Sequence, residues 1–121
     1  MKIAMLLDAA GRAACPEANA TLYVYERQGN DWVVSSTRSH LAAGCTTVTA
    51  MRAYLTQTCQ WLGEGTVLAA QAPRGFGRLV FAQNGIDFWT IDGEPNNYLD
   101  QIEAAYPRRT IAASAAKAAA R

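Results

Sequence analysis

The sequence has few of the residues from which most catalytic and metal sites are built. Its 121 residues include one histidine, His40, and three cysteines that form no C-x-x-C pair. An odd set of cysteines without such a pair indicates neither a disulfide framework nor a zinc knuckle, and we expect a cytoplasmic protein. A nucleophilic mechanism would have to use His40 as its base, with Cys45 or Cys15 as nucleophile, and no local signature supports either pairing.

Long apolar runs are also absent. The run at residues 3–7 ends at Asp8 and is too short for a signal peptide or a membrane span, and no later run is longer. We therefore expect no membrane association. Half of the residues are hydrophobic and 17% are charged, which is the composition of an ordinary globular domain with its own core.

Clustered positive charge is missing from most of the chain. Seven basic and ten acidic residues precede Pro107, whereas the four charged residues after it are all basic. Nucleic-acid binding needs a basic face, so a mildly acidic body argues against a nucleic-acid partner. Residues 107–121 are alanine-rich and low in complexity, and we expect them to form a frayed basic tail after a single domain at residues 1–106.

The hydrophobic pattern predicts strands and helices in an alternating order. Strands are predicted at residues 3–7, 21–25, 32–34, 66–70 and 86–91, and helices at 48–62, at 76–83 and between Pro95 and Pro107. The first three strands favour an antiparallel meander, and the fourth should return parallel to an earlier strand. The order β-β-β-α-β-α-β-α predicts an α/β domain on a mixed sheet. It resembles the ribonuclease-H-like arrangement, which small domains that bind nitrogenase cofactors share.

Residues 39–62 hold the most informative pattern. Val48, Met51, Leu55, Cys59 and Leu62 form one apolar stripe, and Thr46 or Thr47 offers an N-cap before it. The stripe predicts a buried Cys59.

Residues 39–45 lack a sustained period, so we expect a loop there that could be exposed. Its His40 and Cys45 both have side chains that bind soft or borderline metals. The alternative is a surface histidine and an incidental thiol.

Two further patterns in the sequence could support chemistry. Gly75 and Gly77 precede a helix and are flanked by Arg74 and Arg78, which could present amides and charge to an anion; the alternative is a flexible turn. A Walker lysine and a third dinucleotide glycine are missing, so no nucleotide site is indicated. Asp8 ends the first strand as in metal-dependent nucleases, but residues 48–62 contain no acid, which argues against two-metal chemistry.

The arrangement of several pieces resembles the AnfO family, the accessory proteins of the iron-only nitrogenase. The pieces are Met-Lys-Ile-Ala at residues 1–4 with Asp8 and Gly11, Tyr-Val-Tyr-Glu at 23–26 before Trp-Val-Val at 32–34, and residues 84–95 with 98–100. The likeness covers about residues 1–106, and it is weakest at residues 10–20 and 39–45.

The resemblance implies a cytoplasmic, non-enzymatic factor for assembly of the iron-only dinitrogenase. Such a factor would deliver the iron-only cofactor or exclude the wrong one. It would hold this anionic iron–sulfur cargo transiently, through His40 and Cys45 on the irons and through Arg74, Arg78 and the amides of residues 75–77 on the organic acid, with no permanent cofactor. Its partners would be apo-dinitrogenase or other assembly proteins. The alternative is a chaperone that binds apo-dinitrogenase and never touches the cofactor; an enzyme would need titratable groups clustered around His40.

Overall fold

Five strands form one mixed sheet in a computed structural model of the chain, which describes residues 2–93 and 98–105. The strands are β1 (Lys2–Leu7), β2 (Asn19–Gln28), β3 (Asp31–Leu41), β4 (Val67–Ala70) and β5 (Asp87–Thr90). Helix α1 (Val48–Leu62) connects β3 to β4, helix α2 (Gly77–Gln83) connects β4 to β5, and residues 98–105 are helical. The predicted α/β class and element order are confirmed, while the ribonuclease-H-like comparison stays a prediction.

The strand β1 lies at the centre of the sheet, which has the order β3-β2-β1-β4-β5. It pairs antiparallel with β2, where Ile3 faces Tyr25, and parallel with β4, where Ile3 faces Val67. An apolar run that is buried on both faces suits this central position. The antiparallel meander and the parallel return were therefore predicted correctly.

The strand β3 is much longer than the predicted segment 32–34. It continues to Leu41 and pairs with β2 along its length, although residues 34–37 are all exposed. Small polar residues on an edge strand carry no alternating pattern, so the sequence gives no signal for this extension. The prediction of a loop at residues 39–45 is wrong for its first part, and a 3-10 turn follows at Ala42–Gly44.

The two faces of the sheet bury separate cores. Alternate residues of β1 point to opposite sides, so Ala4 and Leu6 belong to one core and Ile3, Met5 and Leu7 to the other. Helices α1 and α2 cover the first core. On the second face Ile102, from the helical residues 98–105, is fully buried. The sheet is therefore the middle of three layers.

Helix α1 begins and ends as its sequence predicts. The Thr47 side chain accepts a hydrogen bond from the amide of Ala50 at 3.1 Å, which identifies Thr47 as the N-cap. Gly63 ends the helix with φ +89°. Leu55, Cys59 and Leu62 are buried as expected.

The predicted tail at 107–121 and the helix start at Pro95 lie outside the described residues, and the domain boundary at residue 106 stays a prediction. No helix in the part of the chain that the structure describes is long and apolar enough to cross a membrane.

Candidate functional site at the carboxyl edge of the sheet

The candidate ligand residues from the sequence, His40, Cys45, Arg74 and Arg78 with the glycines between the arginines, lie at or near one edge of the sheet. The strands β1, β4 and β5 run parallel and end there, β3 also ends there, and β2 begins there. The chain leaves β1 towards β2 on one side, whereas it leaves β4 towards β5 on the other side. Ligands of open α/β sheets bind outside the carboxyl ends of strands where such connections diverge. This edge is therefore the candidate site.

His40 is buried at this edge, with only 2% of its surface exposed. Its Nε2 lies 2.6 Å from the carbonyl oxygen of Pro16. Since a carbonyl only accepts, Nε2 carries the hydrogen in this bond. The ring also meets Tyr54 of α1 edge-on, with the ring centres 5.2 Å apart. The prediction that His40 lies in an exposed loop is wrong, because β3 continues through it and pairs it with Ala20 of β2.

The surroundings of His40 keep its ring neutral. Burial lowers the pKa of His40 below its usual value of 6.5, and the nearby Arg38 lowers it further, while the bond to Pro16 and the charge of Glu17 oppose this. A neutral ring with its hydrogen on Nε2 leaves only the lone pair of Nδ1 for a metal. Because the ring is buried, its hydrogen bond to Pro16 has a structural role. This bond holds the loop after β1 against the end of β3.

Of the three cysteines, Cys45 is the most accessible. It follows the 3-10 turn and is partly exposed, whereas Cys15 and Cys59 are buried. Burial raises the pKa of the Cys59 thiol to about 11, so that thiol stays protonated at neutral pH. The described ranges contain no group of three histidine, cysteine or acidic residues that could hold a metal ion. Cys45 is therefore not part of a group of three or more such ligands within those ranges.

A carboxylate of the chain itself occupies the loop where an external anion was expected. The Glu17 Oε1 accepts the amide N–H of Arg74 at 2.7 Å and lies 3.3 Å from the position that a Cβ on Gly77 would take. Gly77 is buried, and the same Cβ position is 3.2 Å from Pro73. Glycine at residue 77 therefore leaves room for Glu17. Sequence reasoning missed Glu17, since it is 57 residues from Arg74 and no motif connects the two.

Beside this loop, a shallow depression of about 330 Å³ lies at the ends of β4 and β5. It is lined by Gln71, Ala72, Thr90, Ile91 and Asp92. The Arg78 Nη2 donates to the Thr90 hydroxyl at 3.0 Å, which brings this arginine to the rim. Its guanidinium also lies 5.4 Å from the centre of the Phe88 ring. The Asp92 carboxylate places a negative charge in the same depression, opposite in sign to Arg78. It accepts the amide N–H of Gly93 at 2.9 Å.

The two arginines predicted to bind an anion are exposed. Both ion pairs within residues 2–93 and 98–105 are made by Arg27, on the far side of the sheet. The charges of Arg74 and Arg78 are thus not paired with a carboxylate in this part of the chain. The structure brings Arg78 to the depression, and it places Arg74 on the loop that leaves β4.

A family model described as iron-only nitrogenase protein AnfO matches residues 2–120, which is nearly the whole chain. No curated protein matches the sequence. The family implies involvement in the maturation of the iron-only nitrogenase as an accessory protein with nitrogenase-related partners. The chain belongs to the AnfO family of iron-only nitrogenase proteins.

Proposed function

We propose that the protein binds a nitrogenase cofactor transiently at the carboxyl edge of its sheet while dinitrogenase is assembled. In this role it delivers the iron-only cofactor or excludes the wrong one. The observation that supports the proposal is the depression beside β4 and β5, which has Arg78 on its rim and Arg74 on the adjoining loop, both without an ion pair among the described residues.

The arginines would receive the organic acid of the cofactor. A guanidinium matches a carboxylate with two parallel hydrogen bonds. Arg78 is already held by Thr90 and by the Phe88 ring, so binding would cost it less conformational entropy than a free side chain. Exposure to water and the nearby Asp92 both weaken the attraction. Weak binding suits a carrier that must release its cargo.

The thiol of Cys45 would supply one iron ligand. Its partial exposure makes it the cysteine that a bulky cluster can reach. His40 would have to leave its buried position, or present Nδ1, to act as the second ligand proposed from the sequence. The amides around Gly75 and Gly77 would receive the acid only if Glu17 moved away. The arginines and Cys45 are therefore the first residues to test.

A second candidate function is contact with apo-dinitrogenase without any contact with the cofactor. The burial of His40 supports it, because this burial removes one of the two expected cluster ligands. The exposure of Val48 and Leu79, at 64% and 54%, supports it as well, because both are large apolar side chains on the helices.

An anaerobic binding experiment separates the two functions. The purified protein is incubated with isolated iron-only or iron–vanadium cofactor and passed through a gel-filtration column, and iron and vanadium are measured in the protein peak. We expect one cofactor to elute with the wild type. The Arg74→Gln, Arg78→Gln double variant should retain at least tenfold less of it, and Cys45→Ala should retain less than the wild type.

The matched control is Lys2→Gln, which removes one positive charge at the opposite edge of the sheet. It should retain cofactor as the wild type does. If neither cofactor elutes with the wild type, and a complex forms only with added apo-dinitrogenase, the cofactor-binding proposal is wrong and the second function is favoured. Equal retention by the arginine variant and the control would show that the depression is not the binding site.

A further inference from the structure

The helical side of the sheet carries positive charge and no acid within its helices. Helix α1 has Arg52, helix α2 has Arg78, the loop between β4 and α2 has Arg74, and Arg38 of β3 lies over the Trp61 ring of α1. These are four of the seven basic residues in the described part of the chain, which also holds nine acidic residues. Lys2 also lies on this side, where its Nζ donates to the carbonyl of Leu62 at the end of α1. Five of the seven basic residues are therefore on the helical side, together with the acids Glu17 and Glu64 of its connecting loops.

Two of these arginines are held in place by aromatic rings. The Arg38 guanidinium lies 5.4 Å from the centre of the Trp61 ring, and the Arg52 guanidinium lies 5.4 Å from the centre of the Phe76 ring. A guanidinium stacked on a ring keeps its N–H groups available for a carboxylate. Because the rings already restrict these side chains, binding to a partner would order them at a smaller entropic cost.

Exposed apolar side chains accompany the charges. Val48 precedes Arg52 by four residues, which places both on one face of α1. Leu79 lies on α2 next to Arg78. Val48 and Leu79 are two of the four large apolar side chains that are exposed in the described part of the chain. Both helices start at the carboxyl edge of the sheet, so Val48 and Leu79 lie in their first turns at that edge.

We infer that this surface, the basic helical face formed by Arg38, Val48, Arg52 and Leu79, docks on an acidic surface of a protein partner. The identity of that partner rests on the proposed function, under which it is apo-dinitrogenase. Arginine with neighbouring apolar groups is typical of protein interfaces, whereas contact with a nucleic-acid backbone relies on basic residues along a continuous track.

Part of the acidic surface of a second copy is already paired within its own chain. Its helical residues 98–105 do carry two acids, Asp100 and Glu103. Arg27 of the same chain already lies 3.0 Å from Glu103 and 3.9 Å from Asp100. The basic helical face has no such internal partner among the described residues. An acidic partner would supply the negative charge that this face lacks.

The test measures binding of the purified apo form of iron-only dinitrogenase at 50 mM and 300 mM salt. We expect the Arg52→Gln, Leu79→Ala double variant to bind at least tenfold more weakly than the wild type at 50 mM salt. The wild-type complex should itself weaken at least tenfold at 300 mM, because screening acts on exposed charge pairs. Lys2→Gln should bind within twofold of the wild type. A second pair, Arg38→Gln with Val48→Ser, repeats the measurement in case the first does not fold.

Four results would overturn the inference: no complex with the wild type, equal binding by the double variants, binding that does not respond to salt, or loss of binding in Lys2→Gln as well. Binding to duplex DNA that the double variants lose would assign the face to nucleic acid. Concentration-dependent self-association that they lose would assign it to a second copy. The cofactor experiment is independent of this one. If the protein retains a cofactor but does not bind apo-dinitrogenase, only the docking inference is wrong. If it binds apo-dinitrogenase but retains no cofactor, only the cofactor-binding proposal is wrong.

Discussion

His40 shows how one buried side chain can join segments that are distant in sequence. Its ring donates to Pro16 in the loop after β1 and packs against Tyr54 of α1. The Tyr54 hydroxyl in turn accepts the amide N–H of Leu41, the last residue of β3, at 2.7 Å. Three elements thus meet at one imidazole, which is buried in the interior.

The stability of the protein should therefore depend on pH in the range where histidine titrates. The pKa of His40 is lowered in the folded state, so the unfolded chain takes up a proton first as the pH falls through about 6.5. The free energy of unfolding should be highest above that pH and should decrease below it, by at most about 1.4 kcal/mol per pH unit. Urea unfolding followed by tryptophan fluorescence between pH 5.5 and 7.5 measures this.

The variant His40→Gln supplies the control, because its amide can donate to Pro16 but does not titrate. It should be less stable than the wild type, with a smaller slope of stability against pH in this range. Carboxylates titrate mainly below about pH 5, outside the range. An identical slope in the wild type and in His40→Gln would show that His40 is not the group responsible.

At the scale of elements, helix α1 contains two residues of one sequence stripe with opposite environments. Leu55 is completely buried, and its Cδ1 lies 3.6 Å from the position of a Cβ on Gly77 at the start of α2. Val48 begins the same stripe but is 64% exposed, because it lies in the first turn beyond the edge of the core. Leu55→Ala should cost about 2–5 kcal/mol of stability, and Val48→Ala less than about 0.5 kcal/mol.

Chemical denaturation of the two variants at pH 7.5 tests this difference, since each loses only methyl and methylene groups from the same helix. Comparable losses of stability in both would mean that the amino end of α1 is packed against other residues. The expected difference follows from burial alone, because the stripe pattern treats the two positions alike.

The sequence predicted the elements whose pattern is local. The continuous apolar run of β1, the stripe of α1 and the cap at Thr47 each depend on neighbouring residues, and all three are present in the structure. The extension of β3 was not predictable, because its exposed polar residues are ordered by hydrogen bonds to β2. At the candidate site, the contact between Glu17 and Arg74 forms only once the sheet has brought two loops together.

At the scale of the whole molecule, different elements cover the two faces of the sheet among the described residues. Helices α1 and α2 cover one face, and on the other face Ile102 packs into the second core from the helical residues 98–105. Arg27 of β2 also contacts this segment, since its guanidinium pairs with Glu103 and lies 5.3 Å from the centre of the Trp32 ring. The closure therefore combines the buried apolar anchor Ile102, the partly buried Tyr98 and Leu99, and a partly exposed ionic contact.

The apolar anchor should contribute most of the stabilisation on this second face. Ile102 is 0% exposed, so Ile102→Ala should cost about 2–5 kcal/mol through lost burial and a cavity. The side chains of Arg27 and Glu103 are 33% and 29% exposed, and an ion pair so accessible to water contributes at most about 1 kcal/mol, so Arg27→Gln should cost no more than that. Denaturation of both variants, with amide hydrogen exchange at residues 98–105, measures the two contributions. If amide exchange at residues 98–105 increased more in Arg27→Gln than in Ile102→Ala, the ionic contact would be the main contact that holds this segment on the second face. The larger contribution expected for Ile102 from its burial would then be wrong.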